Sequence, residues 1–268
     1  MKFSLFAIMN QQFGVCNLSL VPVRTEPSDR SEMSSQLLFG DHFTILETTD
    51  KWLHILIAHD DYEGWIDRKQ FEEIEHAAFV ALHDLHTILG LSLSHTITKT
   101  ASNEKLNLIA GSNIPNALDR FFYLRDTKYK LEGDTIKPAK DKFRNGVADA
   151  AMFYLNAPYL WGGKSVFGID CSGLTQMVFR QFGLKLKRDA YQQAEQGELV
   201  GFLQECKAGD LAFFDNDEGR IVHVGIMLDN EQIIHASGRV RIDSIDNQGI
   251  FSKESGRYTH KLRIIKRI

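Results

Sequence analysis

The stretch Gly168-Ile169-Asp170-Cys171-Ser172-Gly173-Leu174, preceded by Tyr159-Leu160-Trp161-Gly162-Gly163, decides how this chain is read. A glycine-broken loop turns here into an amphipathic helix expected from Asp170 to Phe182. Leu174, Met177, Val178 and Phe182 lie on one face, and Gly183 is placed to stop it. Cys171 falls on the first turn of that helix, where backbone N–H groups lack helical partners and the dipole favours negative charge. A free thiol pKa of about 8.5 is expected to fall there, and the same N–H groups would meet a developing oxyanion. A cysteine entering a helix is more often a small buried hydrophobe. Gly173 beside it argues for close approach of another backbone or of a ligand.

Downstream, strands are expected at Leu211–Phe214, Val222–Leu228 and Ile233–Ala236, and upstream a helix from Asp141 to Leu155 with Phe143, Val147, Ala151 and Leu155 at helical spacing. A helix bearing a cysteine followed by an antiparallel meander bearing histidines is an α+β layout. On its strand His223 shares a face with Gly225 and Met227. As a general base it would take the thiol proton and later give it to a leaving amine. His235 is the expected orienter of that imidazole. If Met227 pairs with Ile233, Gly225 faces His235 and the two histidines share one sheet face on a diagonal. A slip of one residue would put His235 on the other face, and nothing in the sequence chooses between the two registers. His83 and His86, three apart, read better as a solvated helix face than as metal ligands. No metal and no cofactor is called for.

The first half reads differently. From Gly14 to Phe71, short apolar runs (Leu18–Val23, His42–Leu46, Trp52–Ile57) are separated by turn-rich stretches, which suits a small β-barrel. Glu72–Leu89 is a helix or an irregular connection, after which strands are expected at 96–99, 106–109 and 121–124. The junction falls near Pro138-Ala139-Lys140. The domains expected are therefore 14–75, 76–140 and 141–268.

The composition is that of an ordinary globular chain: 268 residues, 43% hydrophobic, 25% charged, net charge −4, so no basic footprint invites nucleic acid. No apolar run approaches the ~20 residues of a membrane span. Three cysteines far apart make neither a disulfide framework nor a paired zinc motif, and a reducing compartment fits them best. Phe3–Met9 is about the shortest run a signal segment's apolar region can have, without a small-x-small cleavage site after it; a plain extension, or residues ahead of a start at Met9, reads better than a signal peptide.

Taken in order, Tyr159-Leu160-Trp161-Gly162-Gly163, Asp170-Cys171-Ser172-Gly173-Leu174, Arg188-Asp189-Ala190, Gly209-Asp210-Leu211, His223-Val224-Gly225 and Ile234-His235-Ala236 resemble the NlpC-type family of cell-wall endopeptidases, which have a papain-like core. The resemblance spans about Ala148 to Ile268. Val23-Arg24…Pro27…Gly40-Asp41…Trp52-Leu53…Tyr62-Glu63-Gly64-Trp65 resembles a bacterial SH3 domain, with a second, degenerate unit behind it. The resemblance implies Cys171 as nucleophile, His223 as base and His235 as orienter. It also implies a substrate cleft drawing on Tyr159, Trp161, Arg188, Asp189, Ala190 and, from the SH3-like region, Tyr62. Cytoplasmic members use the aspartate of this motif for the free amine of a murein peptide, and Ala190 stands where some have serine. The implied reaction is cleavage between γ-D-Glu and a diamino acid in the cytoplasm. The alternatives are an exported hydrolase of intact wall, and an acyltransferase or amidase, whose relatives often place the histidine before the cysteine. No oligomeric state is implied.

Overall fold

The computed structural model describes residues 11–83, 87–115 and 119–268. The readings of Phe3–Met9 and His86 lie outside these residues. The chain divides into two compact units, one ending at Pro138 and the other beginning at Ala139.

The first unit opens with β1 (Gln12–Val15), β2 (Leu20–Arg24), β3 (Met33–Leu38), β4 (His42–Thr48), β5 (Trp52–Ile57), β6 (Glu63–Asp67) and β7 (Glu72–Ile74). They form one antiparallel sheet in the order β3-β2-β6-β5-β4-β1-β7. Alternation along β2 and β5 turns Val21, Val23, Leu53, Ile55 and Ile57 onto one core with Cys16 and Phe43. Tyr62 is half-buried against that core. After the short helix α1 (His76–His83) come β8 (Ile88–Leu89), β9 (His95–Lys99), β10 (Lys105–Leu108), β11 (Phe121–Leu124), β12 (Thr127–Glu132) and β13 (Thr135–Ile136). These form a four-stranded sheet, β10-β9-β12-β11, and the β8–β13 pair. Leu89, Ile97, Leu108, Phe122, Tyr129 and Leu131 share a core with Phe13 and Val15 of β1 and Phe39 of the turn after β3. The second half thus completes its interior with residues of the first.

In the second unit, α2 (Phe143–Met152) packs on α3 (Cys171–Arg180), with the Phe143 and Phe179 rings 4.7 Å apart. Between them lies the two-stranded pair β14 (Lys164–Ser165) and β15 (Gly168–Ile169). Gly183 closes the end of α3 in the left-handed region, φ +73°. A short helix α4 (Ala190–Gln193) follows, then β16 (Glu198–Leu199), β17 (Leu211–Asp215), β18 (Ile221–Met227), β19 (Gln232–Ser237), β20 (Arg239–Asp246), β21 (Gly249–Ser252) and β22 (Arg257–Arg267). The sheet order is β16-β22-β17-β18-β19-β20-β21, and β21 also pairs with β22, so six strands close into a barrel. Ala212, Phe214, Met227, Ile233, Ile245, Ile250 and Ile265 form one cluster on one face of these strands. The α3 helix lies against β18 and β19. Asp210 of the Gly209-Asp210 motif is structural. It is fully buried and pairs with Arg144 at 2.9 Å and Arg267 at 2.7 Å, pinning α2 and β22 to the start of β17.

Candidate active site

Asp170 builds the entry to α3. Its carboxylate accepts from the Gly173 N–H at 2.6 Å, capping the helix, and from the Gly162 N–H at 2.8 Å, tying down the loop. A methyl group on Gly173 would stand 2.3 Å from the Gly163 carbonyl oxygen. The close approach expected at Gly173 is therefore to backbone. Arg188, 1% exposed, donates to both oxygens of Asp170 and, at 2.8 Å, to Ser172 Oγ. The arginine grips the residues on either side of Cys171.

Cys171 is 7% exposed, and the N–H groups of Ser172 and Val224 hydrogen-bond to its sulfur. Val224 follows His223, so the sulfur is held against the strand that carries the histidine. Burial pushes the thiol up to about 12, with the Asp170 charge adding to the rise. The N–H donors at the helix entry act to lower it, as expected there, while desolvation of a thiolate pushes the other way and is the larger effect. Burial, together with the neighbouring His235 and His260, also holds His223 well below the ordinary histidine range. The resting pair is thus a neutral thiol and a neutral imidazole, with proton transfer coupled to attack.

The strand register puts Met227 opposite Ile233 and Gly225 opposite His235. A side chain on Gly225 would collide first with Ile233, whose Cδ1 would stand 2.6 Å from the added carbon, and also with His235 Cβ at 2.9 Å. His223 and His235 accordingly meet on the diagonal, Nε2 to Nδ1, at 2.8 Å. His235 Nε2 lies 3.0 Å from Asp243 Oδ2, and Asp243 is clasped by Arg241, with Nε 2.7 Å from the same oxygen. Asp243 stands opposite Ile233, so the line His223–His235–Asp243 descends one diagonal step per strand across β18, β19 and β20. Burial alone would raise the Asp243 carboxyl. Hydrogen bonds from His235 and Arg241 outweigh it and hold the group below its usual range.

Sequence reasoning missed Asp243, Arg241 and His260. Their signal was the alternation Arg241-Ile242-Asp243, legible only once β20 is known to follow β19 as a neighbour. The His260 ring stacks on His223 with centroids 4.2 Å apart and planes 24° apart, and burial lowers its pKa to about 4. Among the described residues, the ring nitrogens of His223, His235 and His260 are the one group near enough to hold a metal, lying within 4.8 Å of one another.

Tyr159 is half-buried and bridged through its backbone to Ile169, two residues before Cys171. Burial raises its phenol, and the nearby Cys171 and Asp170 charges raise it further. Trp161 is 58% exposed on the loop held by Asp170. Arg188 is not at the surface: its guanidinium is spent on Asp170 and Ser172. Asp189, half-buried, opens α4 in a capping box with Gln192, whose side chain accepts from the Asp189 N–H at 3.1 Å, and Ala190 is buried behind it. Tyr62 belongs to the first unit.

The NlpC/P60 family model matches residues 156–257, and that of the bacterial dipeptidyl-peptidase SH3 domain matches residues 23–71. Murein DD-endopeptidase MepS/Murein LD-carboxypeptidase of Escherichia coli K12 is 35% identical over 149 residues, 51% of this chain and 76% of that one. The chain belongs to the NlpC/P60 family. It is an NlpC/P60 cysteine peptidase behind a bacterial SH3 domain. Two further relatives align across most of both units. Gamma-D-glutamyl-L-lysine dipeptidyl-peptidase of Bacillus cereus is 26% identical over 256 residues, 85% of this chain and 75% of that one. Dipeptidyl-peptidase 6 of Lysinibacillus sphaericus is 27% identical over 253 residues, 83% of this chain and 88% of that one. The crystal structure of an NlpC/P60 family protein from Bacillus cereus shares the fold, with TM-score 0.79 over 95% of this chain and 99% of that one at 19% identity.

Proposed function

We propose that this NlpC/P60 peptidase acts on murein peptides with a free N-terminal L-Ala, cutting between γ-D-Glu and the following diamino acid. The observation that carries the reading is the alignment of both units with proteins named as dipeptidyl-peptidases. The site is consistent with it. Cys171 attacks the γ-carbonyl while its proton passes to His223. The oxyanion meets the first-turn N–H groups of α3 and the Tyr159 hydroxyl. On collapse the C–N bond breaks, His223 gives the proton to the leaving amine, and water then hydrolyses the thioester.

Asp189 is the proposed anchor of the free amine. It follows the arginine that grips both neighbours of Cys171, and a carboxylate is the partner an ammonium needs on leaving water. Ala190 offers no hydroxyl beside it. Trp161 is proposed as a further contributor to substrate binding. Recycled peptides of this kind occur in the cytoplasm, the proposed place of action, and no helix among the described residues is long and apolar enough to cross a membrane.

The test compares L-Ala-γ-D-Glu-L-Lys and its diaminopimelate counterpart with their N-acetylated forms and with intact peptidoglycan, using wild type and Asp189→Asn. Cleavage of the free-amine peptides alone, weakened in Asp189→Asn mainly through KM, is expected. Comparable cleavage of acetylated peptide or of polymer would reject the amine anchor and favour an exported hydrolase of intact wall.

A further inference from the structure

We propose that Asp243, held in place by Arg241, is a positioning residue that sets the tautomers of both active-site histidines. This rests on the reading of His223 as the base, though its central test reads no turnover. The deduction runs inward from the carboxylate. Asp243 Oδ2 accepts from Arg241 Nε at 2.7 Å and Oδ1 from Arg241 Nη2 at 3.0 Å. An ionised carboxylate has only acceptors, so His235 Nε2, 3.0 Å away, must carry a hydrogen. A neutral His235 then has a bare Nδ1. His223 Nε2 lies 2.8 Å from that Nδ1 and must donate to it. A neutral His223 therefore holds its free lone pair on Nδ1, the nitrogen left to receive the thiol proton. Each step follows from donor and acceptor chemistry, and the barrel supplies the diagonal that makes the distances short.

The groups facing this line are few. Arg241 meets Asp243 from the same strand, and Arg241 is itself 3.0 Å from Glu254. His260 on β22 stacks on His223 and lies edge-on to His235, with centroids 5.5 Å apart. Cys171 approaches from α3. Asp243 is 6% exposed and His235 1% exposed, so bulk water does not compete for these hydrogens.

The central experiment is nitrogen-15 NMR of histidine-labelled full-length protein at neutral pH. Wild type should show His223 and His235 both as the Nε2–H tautomer. In Asp243→Asn, whose amide can present N–H to His235, the His235 signal should move toward Nδ1–H, and kcat should fall on the order of 10²-fold with KM changed far less. Arg241→Met keeps the carboxylate and so should keep both tautomers. Loss of the repelling cation should move the His235 titration midpoint upward. Should Asp243→Asn fail to fold, the wild-type spectrum and Arg241→Met still decide. A wild-type His235 in the Nδ1–H form overturns the proposal, as do tautomers in Asp243→Asn identical to wild type. Normal tautomers with no cleavage of any murein peptide would instead reject the substrate reading and leave the role of Asp243 intact.

Discussion

Replacing Arg188 with methionine separates a clamp from a substrate contact. The side chain is 1% exposed, its guanidinium forks onto Asp170, and it also reaches Ser172 Oγ at 2.8 Å. Methionine keeps much of the volume and removes the charge, leaving the buried Asp170 carboxylate without its cation. Breaking a buried pair from one side costs about 3–5 kcal/mol. Asp170 would keep the N–H groups of Gly162 and Gly173, so the lower end applies, about 3 kcal/mol. At about 2–4 °C per kcal/mol, the transition of the second unit should fall by roughly 6–12 °C in calorimetry. A double-mutant cycle with Asp170→Asn sharpens the reading. Once the carboxylate is neutral, losing the arginine should cost about 2 kcal/mol less. Activity should fall through kcat, because the cap that sets Cys171 loosens. A melting change below about 2 °C with a tenfold rise in KM would refute the clamp and make Arg188 a substrate ligand.

Alkylation at neutral pH should label Cys171 through its histidine, since burial holds the thiol near 12 and Cys206 near 11. In His223→Ala the Cys171 rate should drop to that of Cys206, whereas unchanged selectivity would locate the activation elsewhere. The depressed His223 pKa puts the acid limb of kcat/KM below pH 6.5, because a base that stays neutral to lower pH keeps working there, and a limb above 7 would contradict it. His235→Asn, which can still accept from His223, should exceed His235→Ala by about tenfold in kcat; equal rates at wild-type level would remove His235 from the site. The Asp210 carboxyl lies below its ordinary value of 3.8 despite burial, through hydrogen bonds from Arg267, Lys207 N–H and Arg144. Its stabilisation is therefore full above the unfolded pKa and lost as pH falls through the folded one. Asp210→Asn should lower the melting temperature at pH 7 and flatten its decline below about pH 4; parallel pH curves for the two proteins would exclude it.

How much was legible follows from where each signal lives. The α3 helix and its neighbours were readable because local period and punctuation carry them: Leu174, Met177 and Val178 mark the face, and Gly183 the end. Asp170–Phe182 was expected and Cys171–Arg180 formed, with Asp170 outside as the cap. His223 and His235 could be singled out by chemistry, but their meeting depended on register, a relation between strands. Gly225 held part of that answer: in the register that places the histidines together, a side chain at that position would crowd both Ile233 and His235 across the ladder. The Cys171 pKa misled for the opposite reason. The donors at the helix entry are visible in sequence, while desolvation comes from elements packed around the site and is visible only in the fold. Asp243 and His260 were illegible on both counts. They come from strands not read from the pattern: Asp243 reaches the site because β20 pairs with β19, and His260 because it lies on β22, which pairs with β17. The His260 ring then stacks on the base with centroids 4.2 Å apart. An NlpC/P60 chain with β22 displaced could keep Cys171, His223 and His235 in sequence and still lose the His260 ring, one of the contributors, after burial and His235, that hold the His223 pKa down.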